Sequence, residues 1–434
     1  MALRTTPSQG RRGDRVTAPR LEILAIGDEL AHGSCIDTNS AHIARECEAL
    51  GLAAPRFSIV CDDPTEIEAV MRDAVARADV VIATGGLGPT EDDRSRHAAA
   101  AAAGVPLEFD AAAWAEIEAY FRARGRVARD DNRRQALMPR GAIRLTNDWG
   151  TAPGVALAIG RAELFLLPGV PSEMRQMLTH CVLPRVRARL SGRLRPVEFR
   201  QLVVVGPTEA ALGQRLADLM AADAVVKVGI TPHFGVLTIR VAAHGTDPSN
   251  AAAAADAVAT EIRSRLGEDL IYEGVDDLPT ALLKEAAAAG VRIATAESCT
   301  GGLVAKFLTD PPGASAIYLG GYVAYHNDRK VTDLSVSSAL LRDEGAVSEA
   351  VAAAMARGAA SRTGAELALA TTGIAGPDGG TDTKPVGTVC FAMAHAGDVV
   401  TWTRRFPAIG REFVRHRAAF DVLAAAMRRV REHG

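Results

Sequence analysis

The sequence predicts an α/β protein of three folded domains, and three observations carry that prediction. Apolar runs of strand length alternate with Ala-rich stretches of helical spacing from Leu21 onward, so residues 21–190 are expected to form a three-layer α/β sandwich. A composition break at "SGRLRPVEFR" opens a shorter unit of different rhythm, residues 191–278, expected as a small α+β domain. The strand and helix alternation then resumes over residues 279–434, which predicts a second α/β domain. A chain of 434 residues with 48% hydrophobic content is ample for several cores and too long for one ordinary domain.

Residues 1–20, "MALRTTPSQGRRGDRVTAPR", are rich in Arg, Pro and Gly and lack the apolar run of a signal peptide, so they read as a disordered tail. In the first domain "LEILAIGDEL" passes into "NSAHIARECEALG", "FSIVCDD" into "EIEAVMRDAVARA", and "DVVIATGGLG" into "SRHAAAAAAG". Such alternation implies parallel pairing, with functional loops at the carboxyl ends of the strands. In the middle unit "RQLVVVG", a helix-like "TEAALGQRLADLM", "AVVKVGI", "GVLTIRVAAHG" and "NAAAAADAVATEIRSRLG" follow one another, too plain in polar residues for the main chemistry. The helix "TALLKEAAAAG" then leads into the strand "VRIATAES".

Charge is nearly balanced, 49 Lys plus Arg against 52 Asp plus Glu, and a net of −3 gives no electrostatic argument for a nucleic-acid or membrane surface. The six cysteines are scattered without a C-x-x-C pair, a pattern of reduced thiols in the cytoplasm rather than structural zinc. Apolar stretches are of strand length, far short of the roughly 20 residues that span a bilayer.

"TAESCTGG" (Thr295 to Gly302) sets three nucleophile types, Ser298, Cys299 and Thr300, before Gly301 and Gly302 at a strand-to-helix turn. Such a turn aims backbone N–H groups at an anion; the plainer alternative is a helix cap with a tight turn. "GYVAYHNDRK" adds Tyr325 and Lys330, and "LALATTGIAGPDGGTDTKPVGTV" is a strand that opens at Thr371 and Thr372 into a Gly-rich loop containing Gly373 and Gly376. Dense glycine beside hydroxyls suits close backbone approach to a phosphorylated ligand, or else a long surface hairpin.

These segments, with "GAVSEAVAAAMARGA", resemble the nicotinamide-nucleotide amidohydrolase domain that ends proteins of the competence- and damage-inducible protein A (CinA) family. The resemblance implies hydrolysis of the carboxamide of nicotinamide mononucleotide to nicotinate mononucleotide and ammonia, without a cofactor. It also implies that Ser298 is the nucleophile, with Tyr325, Lys330 and Thr372 as catalytic partners and Arg411 in "IGREFVRHR" binding the substrate phosphate. Thr300, Gly301, Gly302, Gly373 and Gly376 would line the substrate. Chemistry agrees on the base: a desolvated lysine can take a serine proton without histidine. Cys299 ranks second as nucleophile, since no activator stands beside it in sequence. His326 is an alternative base.

"GDEL", "DTN", "TGGLGPTEDD", "NRRQALMPRGA" and "LPGVPSEM" resemble the amino-terminal domain of the same family, which is related to molybdopterin-binding domains. Thr84, Gly85 and Gly86 after a parallel strand can cradle a phosphate, and Asp92 and Asp93, with Glu29, can hold a divalent metal ion such as magnesium against it. The resemblance implies metal-dependent ADP-ribose pyrophosphatase activity here; the alternative is a pterin-nucleotide-binding or partner-recruiting scaffold whose amino-terminal pocket is silent. The middle unit resembles the family's KH-like linker, and with no Gly-x-x-Gly clamp nucleic-acid binding is not expected. A homodimer is expected.

Overall fold

A computed structural model describes residues 18–221 and 225–432; the tail expected at residues 1–20 lies, up to residue 17, outside the described residues. The chain divides into two compact units, residues up to Glu198 with His244–Ala251, and Phe199–Ala243 with residues from Ala252 onward.

The first unit is built on a six-stranded sheet in the order Arg56–Val60, Leu21–Ile26, Val80–Thr84, Ala162–Leu167, Gly154–Ile159 and Ile143–Leu145. The first four strands are parallel. The last two run antiparallel, a departure from the parallel pairing expected from sequence. Its cause is loop length: Ile159 pairs directly with Ala162, and the two residues between them close a hairpin but cannot carry a crossover helix.

Period-2 alternation divides the strand side chains between two cores. Leu24, Val81, Ala83, Leu164 and Leu166 face the helices Pro64–Arg77, Ser95–Ala103 and Ala111–Arg122. Leu21, Ile23, Val80, Ile82 and Phe165 face Asn39–Ala49, Pro171–Met177 and Leu183–Arg189. Helices on both faces of one sheet make the three-layer sandwich.

The second unit holds two sheets. A four-stranded one has the order Val226–His233, Val236–His244, Val197–Val205 and Leu270–Glu273. Leu202, Val204, Ile239 and Val241 pack under the helices Glu209–Arg215 and Pro248–Leu266. Val203, Val205 and Ile271, on the opposite face, share a core with Val414, Ala418 and Leu423 of the last helix, Arg411–Arg431. That shared core ties the small sheet to the carboxyl-terminal one.

The five-stranded sheet runs Tyr318–Val323, Ile293–Glu297, Leu367–Gly373, Thr388–His395 and Asp398–Arg405, the first three parallel and the last two antiparallel. Leu367, Leu369, Val389 and Phe391 face the helices Leu278–Ala289 and Arg411–Arg431. Ala368, Ala370, Cys390 and Ala392 face Glu349–Thr363. Alanine on both surfaces lets that helix lie close, and Gly358 within it carries the approach further. A Cβ on Gly358 would sit 2.1 Å from the carbonyl oxygen of Leu334, which ends the helix Asn327–Leu334.

Lys330 lies on that same short helix, so Gly358→Ala is expected to shift it and destabilise the protein by about 1–3 kcal/mol. Gly213, in a helix with open space where its Cβ would be, is the control: Gly213→Ala should stabilise by roughly 0.5–1 kcal/mol. Denaturant unfolding of the two variants checks both signs.

Candidate functional site

The strand Ile293–Glu297 lies between two parallel neighbours, and its carboxyl end delivers Ser298 to the edge of the sheet. The Ser298 N–H donates to the carbonyl of Thr371 at 2.9 Å, which fixes the turn against the adjacent strand. Lys330 reaches it from the helix Asn327–Leu334: Nζ stands 3.1 Å from Ser298 Oγ, 2.9 Å from the carbonyl of Ala324 and 3.3 Å from that of Tyr325. Ser298 is 8% exposed and Lys330 1%. Among the described residues no carboxylate pairs with this ammonium group. Burial pushes the Lys330 pKa below the usual lysine range, opposed only by the neighbouring Cys299 thiol.

Tyr325 extends the network outward. Its hydroxyl accepts from Arg411, whose other terminal nitrogen donates to the carbonyl of Gly376 at 2.8 Å. Ser298, Lys330, Tyr325, Arg411 and Gly376 thus form one continuous set of contacts. Thr372 is buried in the adjoining strand, and its hydroxyl donates to the carbonyl of Ala346 at 2.7 Å, which leaves it a lone pair rather than a proton for a ligand. Thr300 shares a 2.7 Å hydroxyl contact with Thr371. Gly373 lies in the strand against Thr388 and Val389, where a Cβ would crowd both.

The anion cradle expected at Gly301 and Gly302 is corrected by Glu297. This carboxylate, 1% exposed, accepts from the N–H groups of Gly302, Val304 and Ala305 at 2.9, 3.1 and 2.8 Å. The first turn of the helix Leu303–Thr309 already holds its anion. Arg415 was also missed by sequence reasoning; it donates to the carbonyl of Thr300 at 2.8 Å. Its position four residues after Arg411 places the two guanidiniums on one helix face, a legible signal.

Two alternatives weighed from sequence find different surroundings. Burial pushes the Cys299 thiol up to about 12, so it is protonated near neutral pH. His326 caps the helix Asn327–Leu334, its Nδ1 accepting from the Asp328 N–H at 3.3 Å, and its side chain is 76% exposed.

In the first unit a cavity of about 560 Å³ opens at the carboxyl ends of the parallel strands. Its lining carries Glu29, Asp37, Asp62, Asp92, Asp93 and Glu173, and no lysine, arginine or histidine among the described residues. Burial, then the neighbouring acids Asp28, Asp92 and Glu29, raise the Asp62 carboxyl above its usual range, against a backbone hydrogen bond from Asp28. Thr84 serves the loop rather than facing an open phosphate: its hydroxyl donates to the carbonyl of Pro168 at 2.9 Å and accepts from Asn39 Nδ2 at 3.1 Å. Gly85, at φ +107°, has no room for a side chain, since a Cβ would lie 2.0 Å from the carbonyl of Ile26. Gly86 adjoins it on the cavity wall.

Asp93, expected as a metal ligand, spends both oxygens on its own loop. One accepts from Gly88 N–H at 2.6 Å; the other accepts from the N–H and hydroxyl of Thr90 at 2.7 and 2.6 Å. Glu29, Asp62 and Asp92 remain on the cavity, but among the described residues no three acids, histidines or cysteines converge to hold a metal by themselves. Asp62 is the first of the two acids that close the run "FSIVCDD", after the strand beside Leu21–Ile26, and was legible only as one of many acids. Asn39 also lines the cavity, and its Oδ1 is a buried acceptor with no partner among the described residues.

Three domain families match the chain: a molybdopterin binding domain over residues 22–188, the damage-inducible protein CinA KH domain over 199–272 and the CinA C-terminal domain over 275–430. The chain is 43% identical over 416 residues to a competence-damage inducible protein of Symbiobacterium thermophilum, covering 94% of this chain and 98% of that one. To a CinA-like protein of Geobacter sulfurreducens it is 42% identical over 389 residues, 89% of this chain and 94% of the other. A crystal structure of a CinA superfamily protein from Klebsiella pneumoniae aligns with 36% of this chain and 96% of that one at 36% identity and a TM-score of 0.35. Among the described residues no helix is long and apolar enough to cross a membrane. Similarity that runs through all three domains and nearly the full length of these relatives places this chain in the CinA family.

Proposed function

We propose that the carboxyl-terminal domain hydrolyses the carboxamide of nicotinamide mononucleotide to nicotinate mononucleotide and ammonia. The observation that carries this reading is the 3.1 Å contact between buried Lys330 Nζ and Ser298 Oγ. A neutral amine accepts the Ser298 proton as Oγ bonds to the carboxamide carbon; the amine then returns that proton to the departing nitrogen, and the C–N bond breaks to release ammonia. Water, deprotonated by the same amine, cleaves the acyl-serine to the free acid. Arg411, fixed by Gly376 and Tyr325, retains N–H groups for the substrate phosphate. Glu297 and Arg415 hold the turn that presents Ser298. The choice of substrate rests on the motifs shared with the amidohydrolase domain.

For the amino-terminal domain we infer metal-dependent hydrolysis of ADP-ribose to AMP and ribose 5-phosphate. The supporting observation is a cavity with six lining carboxylates and no basic side chain among the described residues, which repels a bare diphosphate. Glu29, Asp62 and Asp92 would hold a divalent cation jointly with the ligand's phosphate oxygens, as magnesium is commonly held. When bound, that cation neutralises and polarises the diphosphate. Asn39 Oδ1 offers an acceptor to a ribose hydroxyl.

Ser298→Ala should abolish ammonia release while Cys299→Ala keeps most of it. Because Lys330 must be neutral to accept a proton and its pKa is depressed, activity should be low below that pKa and rise with pH through it. Lys330→Met should remove turnover yet leave calorimetric binding of nicotinamide mononucleotide; near-normal turnover in Lys330→Met with loss in His326→Ala would transfer the base to the histidine.

EDTA should stop ADP-ribose hydrolysis and spare deamidation, and Asp92→Asn should lower the first alone. Asp93→Asn should instead cost about 1–3 kcal/mol of stability with or without metal, since an amide NH₂ would face donors now bonded to a carboxylate. AMP release that survives EDTA, or metal-independent binding of a pterin without turnover, would sink the pyrophosphatase reading.

A further inference from the structure

The second unit contains a cavity of about 960 Å³ that the proposed chemistry does not use. One wall is the rim of the four-stranded sheet: Val205 to Glu209 after one strand, Gly235 in the turn between two others, and Asp269. The opposite wall is the outermost strand of the five-stranded sheet together with the last helix. Val400, Trp402 and Arg404 alternate along the strand, so one of its faces meets the cavity. Arg417, Asp421, Ala425 and Arg428 follow at helical spacing, so one stripe of Arg411–Arg431 does the same.

The charges are not matched pairwise. Arg404, Arg405, Arg417 and Arg428 line the cavity against Glu209, Asp269 and Asp421. Asp269 is paired with Arg215, outside the lining. Asp421 accepts from Trp402 Nε1 at 2.9 Å and lies 3.7 Å from Arg404. Among the described residues Arg405, Arg417 and Arg428 have no carboxylate partner, and Arg417 and Arg428 rest on backbone carbonyls of Gly235 and Val205. Gly235 is what admits Arg417: a Cβ there would overlap its guanidinium. Burial lowers the pKa of Arg417, with Arg404 acting in the same direction and Asp421 opposing, so a further anion would be welcome.

Flat apolar surface lies beside these cations. Trp402 stacks on Phe391 at 5.1 Å between centroids and 9° between planes, which fixes its ring, and Phe406 sits 5.7 Å from the Arg417 guanidinium. Phe413 adds a third ring to the lining. One part-buried guanidinium, Arg417, and three exposed ones beside a ring held by stacking match a molecule that carries a phosphate at one end and a planar group at the other.

We propose that this cavity is a second ligand site of the carboxyl-terminal unit, for a small phosphorylated molecule of nucleotide type. Its occupant touches the helix that carries Arg411 and Arg415 to the Ser298 site, so it is placed to act as an effector rather than as a substrate.

The test uses the full chain with Trp114→Phe and Trp149→Phe, which leaves Trp402 as its tryptophan reporter. Titration with AMP should change Trp402 fluorescence saturably, and Arg405→Ala/Arg428→Ala should weaken that binding on the order of tenfold or more. Arg405→Glu, at an exposed position, tests charge without touching a core and should weaken it as well. Arg411→Ala, in the amidase site, should leave the AMP curve in place. No saturable change, equal affinity in the arginine variants, or adenosine binding as tightly as AMP would overturn the proposal, as would a response to single-stranded RNA alone. Each of those results leaves the Ser298 reading untouched.

Discussion

A primary amine buried to 1% exposure among three neutral oxygens is the constraint on which the carboxyl-terminal domain turns. A charged ammonium in that position would lack the carboxylate that ordinarily compensates a buried charge, so the surroundings favour the free amine. The backbone carbonyls of Ala324 and Tyr325 aim the nitrogen, and the helix Asn327–Leu334 is held by the close approach of Gly358. The alanine-rich contact between Glu349–Thr363 and the sheet has a chemical consequence: it sets how far the helix bearing Lys330 stands from the strand bearing Ser298.

The two α/β domains solve the same local problem in the same way. Each ends a parallel strand in a Gly-rich turn whose N–H groups need partners, and each supplies an internal carboxylate, Glu297 in one and Asp93 in the other. An internal acid rigidifies the turn before any ligand arrives and removes those N–H groups from ligand binding. In the reading proposed above, anion recognition then falls to Arg411 beside Ser298 and, in the amino-terminal cavity, to a cation that the acids would hold. The same sequence signature, small residues and glycine after a strand, therefore leads in both domains to a turn shaped by an internal acid.

The last helix links these parts through its periodicity. Val414, Ala418 and Leu423 enter the core, Arg411 and Arg415 reach the Ser298 site, and Arg417 with Arg428 faces the second cavity. At 3.6 residues per turn a helix of 21 residues can present three faces to three environments, and a shift along its axis would be felt in all of them.

Much of this was legible in the sequence. The α/β class, the order of strands and helices, and the segments around Ser298, Lys330 and Tyr325 follow from local pattern and from quoted motifs, because strand and helix periodicity and short turn chemistry are encoded over a few residues. Antiparallel pairing at Gly154–Leu167 was available in principle, since a two-residue connection excludes a crossover. What only tertiary structure decided is the partner of each polar group. Nothing within "TAESCTGG" states that Glu297 rather than a substrate fills the helix terminus, and nothing in "EDD" states that Asp93 is consumed by Gly88 and Thr90 while Asp62, some thirty residues earlier in the chain, joins the cavity. Nor could residue spacing reveal that Gly235 makes room for Arg417, 182 positions away. Backbone propensity acts locally, whereas hydrogen bonds and charge pairing are settled between residues that meet only when the chain has folded.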